Sequence, residues 1–475
     1  MPARSVVVVG GGISGLVAAW QLVEQEGLPP AEVTVLEARD RVGGVLLRRE
    51  VAGNFVDLGA ESVLTTRTEA LDLIEELGLT AELHRPTGVP ASVWSRGGFH
   101  PMPRGTMMGV PGDPSLAAGL LTPEEVDRAR DTGREHTPVT EDLSVGDFVE
   151  QRMGPAVVDR LVEPLLGGVY AGDARRLSLT ACIPALAKVA REGGALADAV
   201  AALTDRSGGT QARPAPPFAS LEGGLGRLPE ELARHLVDRG VTLRTGTEVV
   251  ALQHRGEQQE AAGWDLTLAD GQRIAADAVL LAVPVPAAAR LLAGTAPEAA
   301  ADLAGVRTAS MAVVMFAFPA ATMPPLERSG FLVPPVDGRA VKAATFSSAK
   351  WPHVGDDDVV YVRASLGRAG DDAVLEHGDA ALARLALQDL RTAVRQDRGA
   401  ELPDPVEFVV QRWDHGLPQY DVGHLERIAG VRAAVAGLDG LELAGSAYDG
   451  VGIPACIATA RGAASRLVAG GTMAR

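Results

Sequence analysis

Three glycines at positions 10, 12 and 15 have the spacing G-x-G-x-x-G, in the run Val9-Gly-Gly-Gly-Ile-Ser-Gly15. Glycines in this pattern suit the binding of a pyrophosphate. Gly10 allows a tight turn, and Gly12 lets phosphates approach a backbone that also includes Gly11, Ile13 and Ser14. Gly15 lets the next helix pack closely on a sheet. The first turn of that helix offers free N–H groups and partial positive charge. Glu37 stands where a carboxylate can accept hydrogen bonds from a ribose. Directly after it come Ala38, Arg39 and Arg41-x-Gly43-Gly44: a guanidinium within reach of phosphate and two more glycines for close backbone approach.

The elements that must position these residues lie around them. Four successive valines, Val6–Val9, read as a buried parallel strand. Residues 16–24 read as a helix, and Val33–Leu36 as a second strand that ends at Glu37. A helix is expected over 69–77, stopped by Gly78. Residues 115–204 are mainly helical in pattern, with starts at Pro123 and at Ser144, where Asp147 three residues on suggests a capping box. The Pro/Gly-rich run 205–217 reads as a linker. Beyond a helix over 229–239, strands are expected at 242–244, 248–253, 264–268 and 278–283. A second, mostly antiparallel sheet is expected from 312–318, 330–333, 359–366 and 406–412, with one helix over 378–395. Near the end, strand 441–444 leads through Gly445 and Ser446 to Gly450-Val-Gly-Ile-Pro454, which opens the last helix. Pro454 suits a first helical turn.

These patterns predict an α/β fold, α+β overall. A discontinuous dinucleotide-binding domain is expected over 1–90, 218–295 and 410–475. A helical subdomain inserts at 91–217, and a mixed-sheet substrate domain follows at 296–409. The formal net charge of −17 argues against nucleic acid as a partner, which would need clustered Lys and Arg. It also argues against general steering of anions, so an anionic substrate must be held by local cations. Cys182 and Cys456 form no C-x-x-C or metal-ligand spacing, so no metal is expected and a reducing cytoplasm fits best. No run is apolar and long enough to span a bilayer; contact at the membrane periphery stays open.

The opening glycines alone leave FAD and NAD undecided. Arg41-x-Gly43-Gly44, at this distance after them, is the mark of a flavin-binding chain. The last helix would then aim its N-terminus, at Gly452, Ile453 and Pro454, toward the flavin and steady the negative charge that builds on reduction.

With Gly59-Ala60-Glu61-Ser62 and the C-terminal Ala-Gly turn, the chain resembles the FAD-dependent amine oxidase and protoporphyrinogen oxidase superfamily. Four stretches resemble its porphyrinogen oxidase branch: Val162-Glu-Pro-Leu-Leu-Gly-Gly-Val-Tyr-Ala-Gly-Asp173, Ser347-Ser-Ala-Lys-Trp-Pro-His353, Gln411-Arg-Trp-Asp-His-Gly-Leu-Pro-Gln-Tyr420 and Gly450-Val-Gly-Ile-Pro-Ala-Cys456. The soluble bacterial form of that branch, which oxidises coproporphyrinogen III, fits best. The resemblance implies a Rossmann-like FAD domain of the amine oxidase/glutathione reductase type. It implies hydride removal from a porphyrinogen in three rounds, with oxygen as acceptor and hydrogen peroxide released, and a ferrochelatase as a candidate recipient of the product. Gly59 to Ser62, Val249 and Trp413 join the expected cofactor contacts. The backbone carbonyl at Gly168 would lie close to substrate, although Gly167-Gly168 would equally suit a helix end.

The substrate's propionates call for cations, and Arg suits them through paired hydrogen bonds. Arg67 is the first candidate and Arg176 the second; Arg175, Lys342 and Arg363 follow. Phe331, Leu332 and Phe346 are candidates for an apolar pocket wall. No persuasive general base stands out among nine histidines; His353, His415 and His424 lie in suggestive loops. Three alternatives stay open: protoporphyrinogen oxidation, amine oxidation, and a non-catalytic binder on the same fold. Only four tyrosines are present, which makes an aromatic cage for an amine harder to build.

Overall fold

The computed structural model describes residues 5–24, 26, 28–130, 138–205, 217–255 and 263–470. The four valines form the central strand of a five-stranded parallel sheet. Its order is Thr242–Arg244, Val33–Leu36, Val6–Val9, Ala278–Leu281, Leu441–Leu443. The valine run follows from burial on both faces. Val6 and Val8 enter the core on one side, and Val7 and Val9 the core on the other. Each such burial stabilises by roughly 1.5–3 kcal/mol. Helices Ile13–Glu24, Arg227–Asp238 and Ile453–Gly470 cover the first face. A three-stranded antiparallel sheet (Val249–Arg255, Gly263–Leu268, Arg273–Ala276) and three helices cover the second.

A seven-stranded mixed sheet forms the second layer system. Its order is Glu407–Pro418, Thr308–Pro319, Val359–Leu366, Val341–Thr345, Gly330–Leu332, Ala91–Ser95, Gly98–Pro101. Helix Asp379–Arg398 covers one face, over a core that includes Phe316, Phe318, Phe331 and Phe346. Two expected boundaries shift here. Residues 91–101, assigned to the helical insertion, instead extend this sheet, because Gly330–Leu332 pairs in parallel with Ala91–Ser95. Residues 410–418, assigned to the nucleotide domain, pair with Thr308–Pro319 in the same sheet.

The helical region packs around Phe148, Leu161, Leu166 and Leu186. A full capping box sits at Thr122 and Glu125, ahead of Pro123. Ser144 accepts from the Asp147 N–H, the one-sided version of the expected cap. The expected linker, 205–217, falls almost wholly outside the described residues. No helix among the described residues is long and apolar enough to cross a membrane.

Candidate active site

The glycine turn divides its labour in a way the backbone makes explicit. Gly10 has φ +107°, and a Cβ there would stand 2.3 Å from the Ala282 carbonyl oxygen. A Cβ on Gly15 would come within 1.8 Å of the Gly10 oxygen. Both positions are closed by the fold itself. Gly12 differs, because a Cβ there would meet only the Gly44 Cα, at 3.9 Å. Space is therefore left open above Gly12. The Gly43 N–H donates to the Gly11 carbonyl at 2.8 Å, and Gly12 and Gly43 bridge in parallel. The two glycine pairs thus form one backbone-lined cleft at the end of the central strand.

Glu37 closes the far side. Its Oε2 accepts from the Gly11 N–H at 2.6 Å and its Oε1 from the Arg39 N–H at 2.9 Å. The carboxylate is held rigid beside the cleft with lone pairs left for hydroxyl donors. The Glu37 carbonyl accepts from the Thr247 N–H at 2.8 Å, which brings buried Val249 close to the same strand end. Ile13 and Ser14 sit buried in the first helical turn. Arg41 does not extend toward phosphate; it donates to the carbonyls of Val42 and Gly44 at 3.1 and 3.0 Å and braces the second glycine pair. Burial, reinforced by Arg39, pushes its guanidinium below the ordinary arginine range.

Gly59 is required by a chain crossing: a Cβ would stand 1.8 Å from the Val45 oxygen. Glu61, expected at the cofactor, is committed elsewhere. Its carboxylate pairs with Lys350 at 2.5 Å and lies 3.6 Å from Arg363. Against the effect of burial, these two cations hold it below the usual carboxylate range. The trio ties the Gly59–Ser62 segment to the mixed sheet. Trp413 is buried and donates to the Leu58 carbonyl at 2.9 Å, packed with Leu47, Val56 and Tyr361. Its ring lies 5.9 Å from the Arg41 guanidinium, so it supports the second glycine loop from behind.

At the C-terminus, Gly445 takes φ +139°, a conformation suited to glycine. The 445–452 loop is fixed by Tyr420, which donates to the Ser446 carbonyl at 2.6 Å and accepts from the Gly450 N–H at 2.8 Å. Tyr420 stacks on His424 at 3.9 Å, and the His424 Nε2 bonds the Ala447 carbonyl. The suggestive histidine is thus a loop anchor, with burial lowering its pKa. Gly452, Ile453 and Pro454 open the last helix, which packs along the first, and the Cys456 thiol donates back to the Gly450 carbonyl at 3.9 Å.

The helix Glu163–Tyr170 runs on past Gly167 and Gly168 and is ended by Ala171 at φ +49°. The glycines do not stop it. Gly167 is buried, yet a Cβ there would meet nothing within 4 Å; at Gly168 it would meet only Leu332 Cδ2 at 3.8 Å. The helix face over the mixed sheet is therefore open. Leu332 also lines a narrow apolar hollow with Val93, Met102, Leu161 and Pro164. Its neighbour Phe331 points to the opposite face, as alternate strand residues must. Phe331 packs against Trp94, Phe99 and Phe346 under helix Asp379–Arg398. Phe331 and Phe346 thus belong to the core under that helix, on the sheet face away from Gly168, where Phe346 also lines a second hollow with Phe99, Leu326 and Val394.

The expected arginine anchors are not free. Arg67 is 45% exposed and bonded to Glu69. Arg176 is 54% exposed and lies 3.9 Å from Asp421, whose carboxylate Arg307 already holds with two hydrogen bonds. Arg175 pairs with Glu150 and Asp159. His353 stacks on His84, and burial pushes it down to about 4, so it is neutral. His415 bonds Thr308 at the surface. Two groups escaped the sequence reading. Asp57, accepting from the Leu225 and Gly226 N–H groups, is pushed up by burial to about 7. Glu163, accepting from the Ala174 N–H, is likewise pushed up to about 7. Glu163 lies inside the 162–173 stretch and Asp57 just ahead of Gly59, but nothing in either pattern marks the carboxylate; burial identifies them.

A family profile described as flavin containing amine oxidoreductase matches residues 13–468. The chain belongs to that family. It is 38% identical over 474 residues to the coproporphyrinogen III oxidase of Mycobacterium tuberculosis (strain ATCC 25618 / H37Rv), covering 98% of this chain and 97% of the relative. It is 32% identical to the coproporphyrinogen III oxidase of Bacillus subtilis (strain 168), with 97% of each chain covered. A crystal structure from Exiguobacterium sp. 255-15 superposes with a TM-score of 0.85 at 32% identity and 99% coverage of both chains. This flavin amine oxidoreductase is an FAD-dependent enzyme, and its residues fit FAD. The open space above Gly12, which a Cβ would fill, and the rigid Glu37 carboxylate beside it are the features that fit such a dinucleotide.

Proposed function

We propose that this protein oxidises coproporphyrinogen III to coproporphyrin III. Bound FAD supplies the hydride acceptor, and three molecules of oxygen take up the six electrons and six protons as three molecules of hydrogen peroxide. The chain's own part is to hold and orient. Gly10, Gly12 and Gly15, with Gly43 and Gly44, cradle the pyrophosphate; Glu37, with Ala38 and Arg39, receives the adenosine ribose. Gly59, Ala60 and Ser62 border the cleft, with Val249 at the adenine side. Gly445, Ser446 and the first turn at Gly452, Ile453 and Pro454 present N–H groups and partial positive charge to the ring edge where reduction places negative charge. The Gly168 carbonyl and the Leu332 side chain frame the macrocycle.

The observation that carries this reading is the open helix face at Gly167 and Gly168, set over Leu332. It leaves room for a broad, flat ligand where a side chain would close it. The family relatives' names support the same substrate class. All four tyrosines are buried; Tyr361 and Tyr448 pack in two different cores, and Tyr170 packs at 5.7 Å on Tyr420, whose hydroxyl is held by the 445–452 loop, which speaks against an aromatic cage for an amine. We place the activity in the cytoplasm, with a ferrochelatase as recipient of the product; both extensions rest on the resemblance. Steady-state assays test the reading. Fluorescent coproporphyrin and peroxide should accumulate in a 1:3 ratio, with no turnover of primary or polyamines. Turnover of amines with none of porphyrinogens refutes it.

A further inference from the structure

The strand Val341–Thr345 slips register between Val341 and Ala343, where it pairs with Val359–Leu366. Lys342 is the extra residue of that bulge, and bulges re-aim a side chain. Lys342 is only 5% exposed, and its ammonium has no hydrogen-bond partner. No carboxylate among the described residues pairs with it. The charged groups that act on it are Arg368 and Arg363, both cations. Nearby acids are engaged elsewhere. Asp389 accepts from the Val341 N–H and faces Arg339, Glu61 pairs with Lys350, and Glu163 accepts from Ala174.

A buried cation without a counter-ion is strongly disfavoured in a purely structural role. Two more cations beside it make the site a receptor for an anion. Its place in the fold says which anion. The Val333 N–H donates to the Lys342 carbonyl, and Ala343 pairs with Leu332, the residue facing Gly168. Helix Glu163–Tyr170, with its open glycine face, packs across these two strands. The strand that carries Lys342 thus borders the space assigned to the macrocycle, with the ammonium buried behind it.

We propose that Lys342 receives a substrate carboxylate and sets the preference for coproporphyrinogen, which carries four, over protoporphyrinogen, which carries two. This rests on the tetrapyrrole reading above. Arg363, which lies 3.6 Å from Glu61, and Arg368, which donates to the Val333 carbonyl, are the flanking cations within a chain of net charge −17. Binding of the carboxylate gives the ammonium the partner it lacks and holds it fully protonated.

The test compares wild type with Lys342→Met and Lys342→Gln. Fluorescence titration of the holoenzyme with coproporphyrin III and protoporphyrin IX gives affinities, and kcat/KM is measured for both porphyrinogens. Flavin content and melting temperature report folding. Both variants should keep flavin and melt no lower than wild type, since an unpaired buried charge is removed. Affinity for coproporphyrin III should fall tenfold or more, with protoporphyrin IX changed less than twofold, and the ratio of kcat/KM values should fall in step. Parallel losses for both porphyrins, or no loss, overturn the assignment while leaving the proposed function standing. A wild-type enzyme that oxidises neither porphyrinogen overturns both.

Discussion

Replacing Gly12 with alanine separates cofactor binding from folding. A Cβ at this position meets only the Gly44 Cα at 3.9 Å, which is ordinary van der Waals contact, and the backbone there is not left-handed. Gly12→Ala therefore costs the apoprotein nothing sterically. It should add about 0.4–1 kcal/mol by restricting the unfolded chain. The methyl instead occupies the space a pyrophosphate needs. If it displaces one charge-assisted hydrogen bond, binding weakens by about 1.5–3 kcal/mol, or roughly 10- to 150-fold in Kd. Gly15→Ala is the control, because its Cβ would lie 1.8 Å from the Gly10 oxygen, where no flexible side chain can yield. The assay is thermal melting of flavin-stripped protein, followed by FAD titration. Gly12→Ala should melt at or above the wild-type apoprotein temperature and bind FAD weakly, whereas Gly15→Ala should lose the fold. Wild-type FAD affinity in Gly12→Ala would refute the assignment of the open space to the cofactor.

Asp57 and Glu163 are both buried with pKa values raised to about 7. A raised carboxyl pKa means that the folded state holds the proton more tightly than the unfolded chain. Its stabilising contribution is complete below the unfolded value near pH 4 and is lost as pH rises through 7, at about 1.4 kcal/mol per pH unit for each group. His353, pushed down to about 4, works in the opposite sense, so the test is the difference between proteins: between pH 4.5 and 7 Asp57→Asn should gain stability on wild type as pH rises, by about 1.4 kcal/mol per pH unit, and an unchanged difference rejects the assignment. Trp413→Phe leaves the buried Leu58 carbonyl unpaired, a loss of about 1–3 kcal/mol. Denaturant unfolding should show that loss with the flavin absorbance bands unmoved, and a band shift instead would mean the indole touches the cofactor.

The parts of the site that are legible in sequence are those built by local geometry. The G-x-G-x-x-G turn must combine a positive φ at Gly10 with a contact only glycine permits at Gly15, and both demands fall within six residues. Gly59 and the Gly445 turn are readable for the same reason. Side-chain direction is not. Phe331 and Leu332 are adjacent apolar residues on one strand, and a one-residue change of phase exchanges which faces Gly168. Only the pairing of Phe331 with Ala344 settles the phase. The recruitment of residues 91–101 into the mixed sheet depends on a parallel partner more than 200 residues away, which no local pattern encodes. Lys342 reads in sequence as one weak cation among several. Its significance comes from a bulge and from an ammonium that no carboxylate among the described residues pairs with. Arg67 reads as the stronger candidate because Arg suits carboxylates, but Glu69, two residues on, already holds it.

The central claim is tested most directly by mixing the purified holoprotein with coproporphyrinogen III without oxygen. The flavin absorbance should bleach within the time of a single turnover and return when air is admitted, with porphyrin fluorescence rising in parallel. Flavin that stays oxidised with coproporphyrinogen III, but bleaches with an amine, would contradict the account.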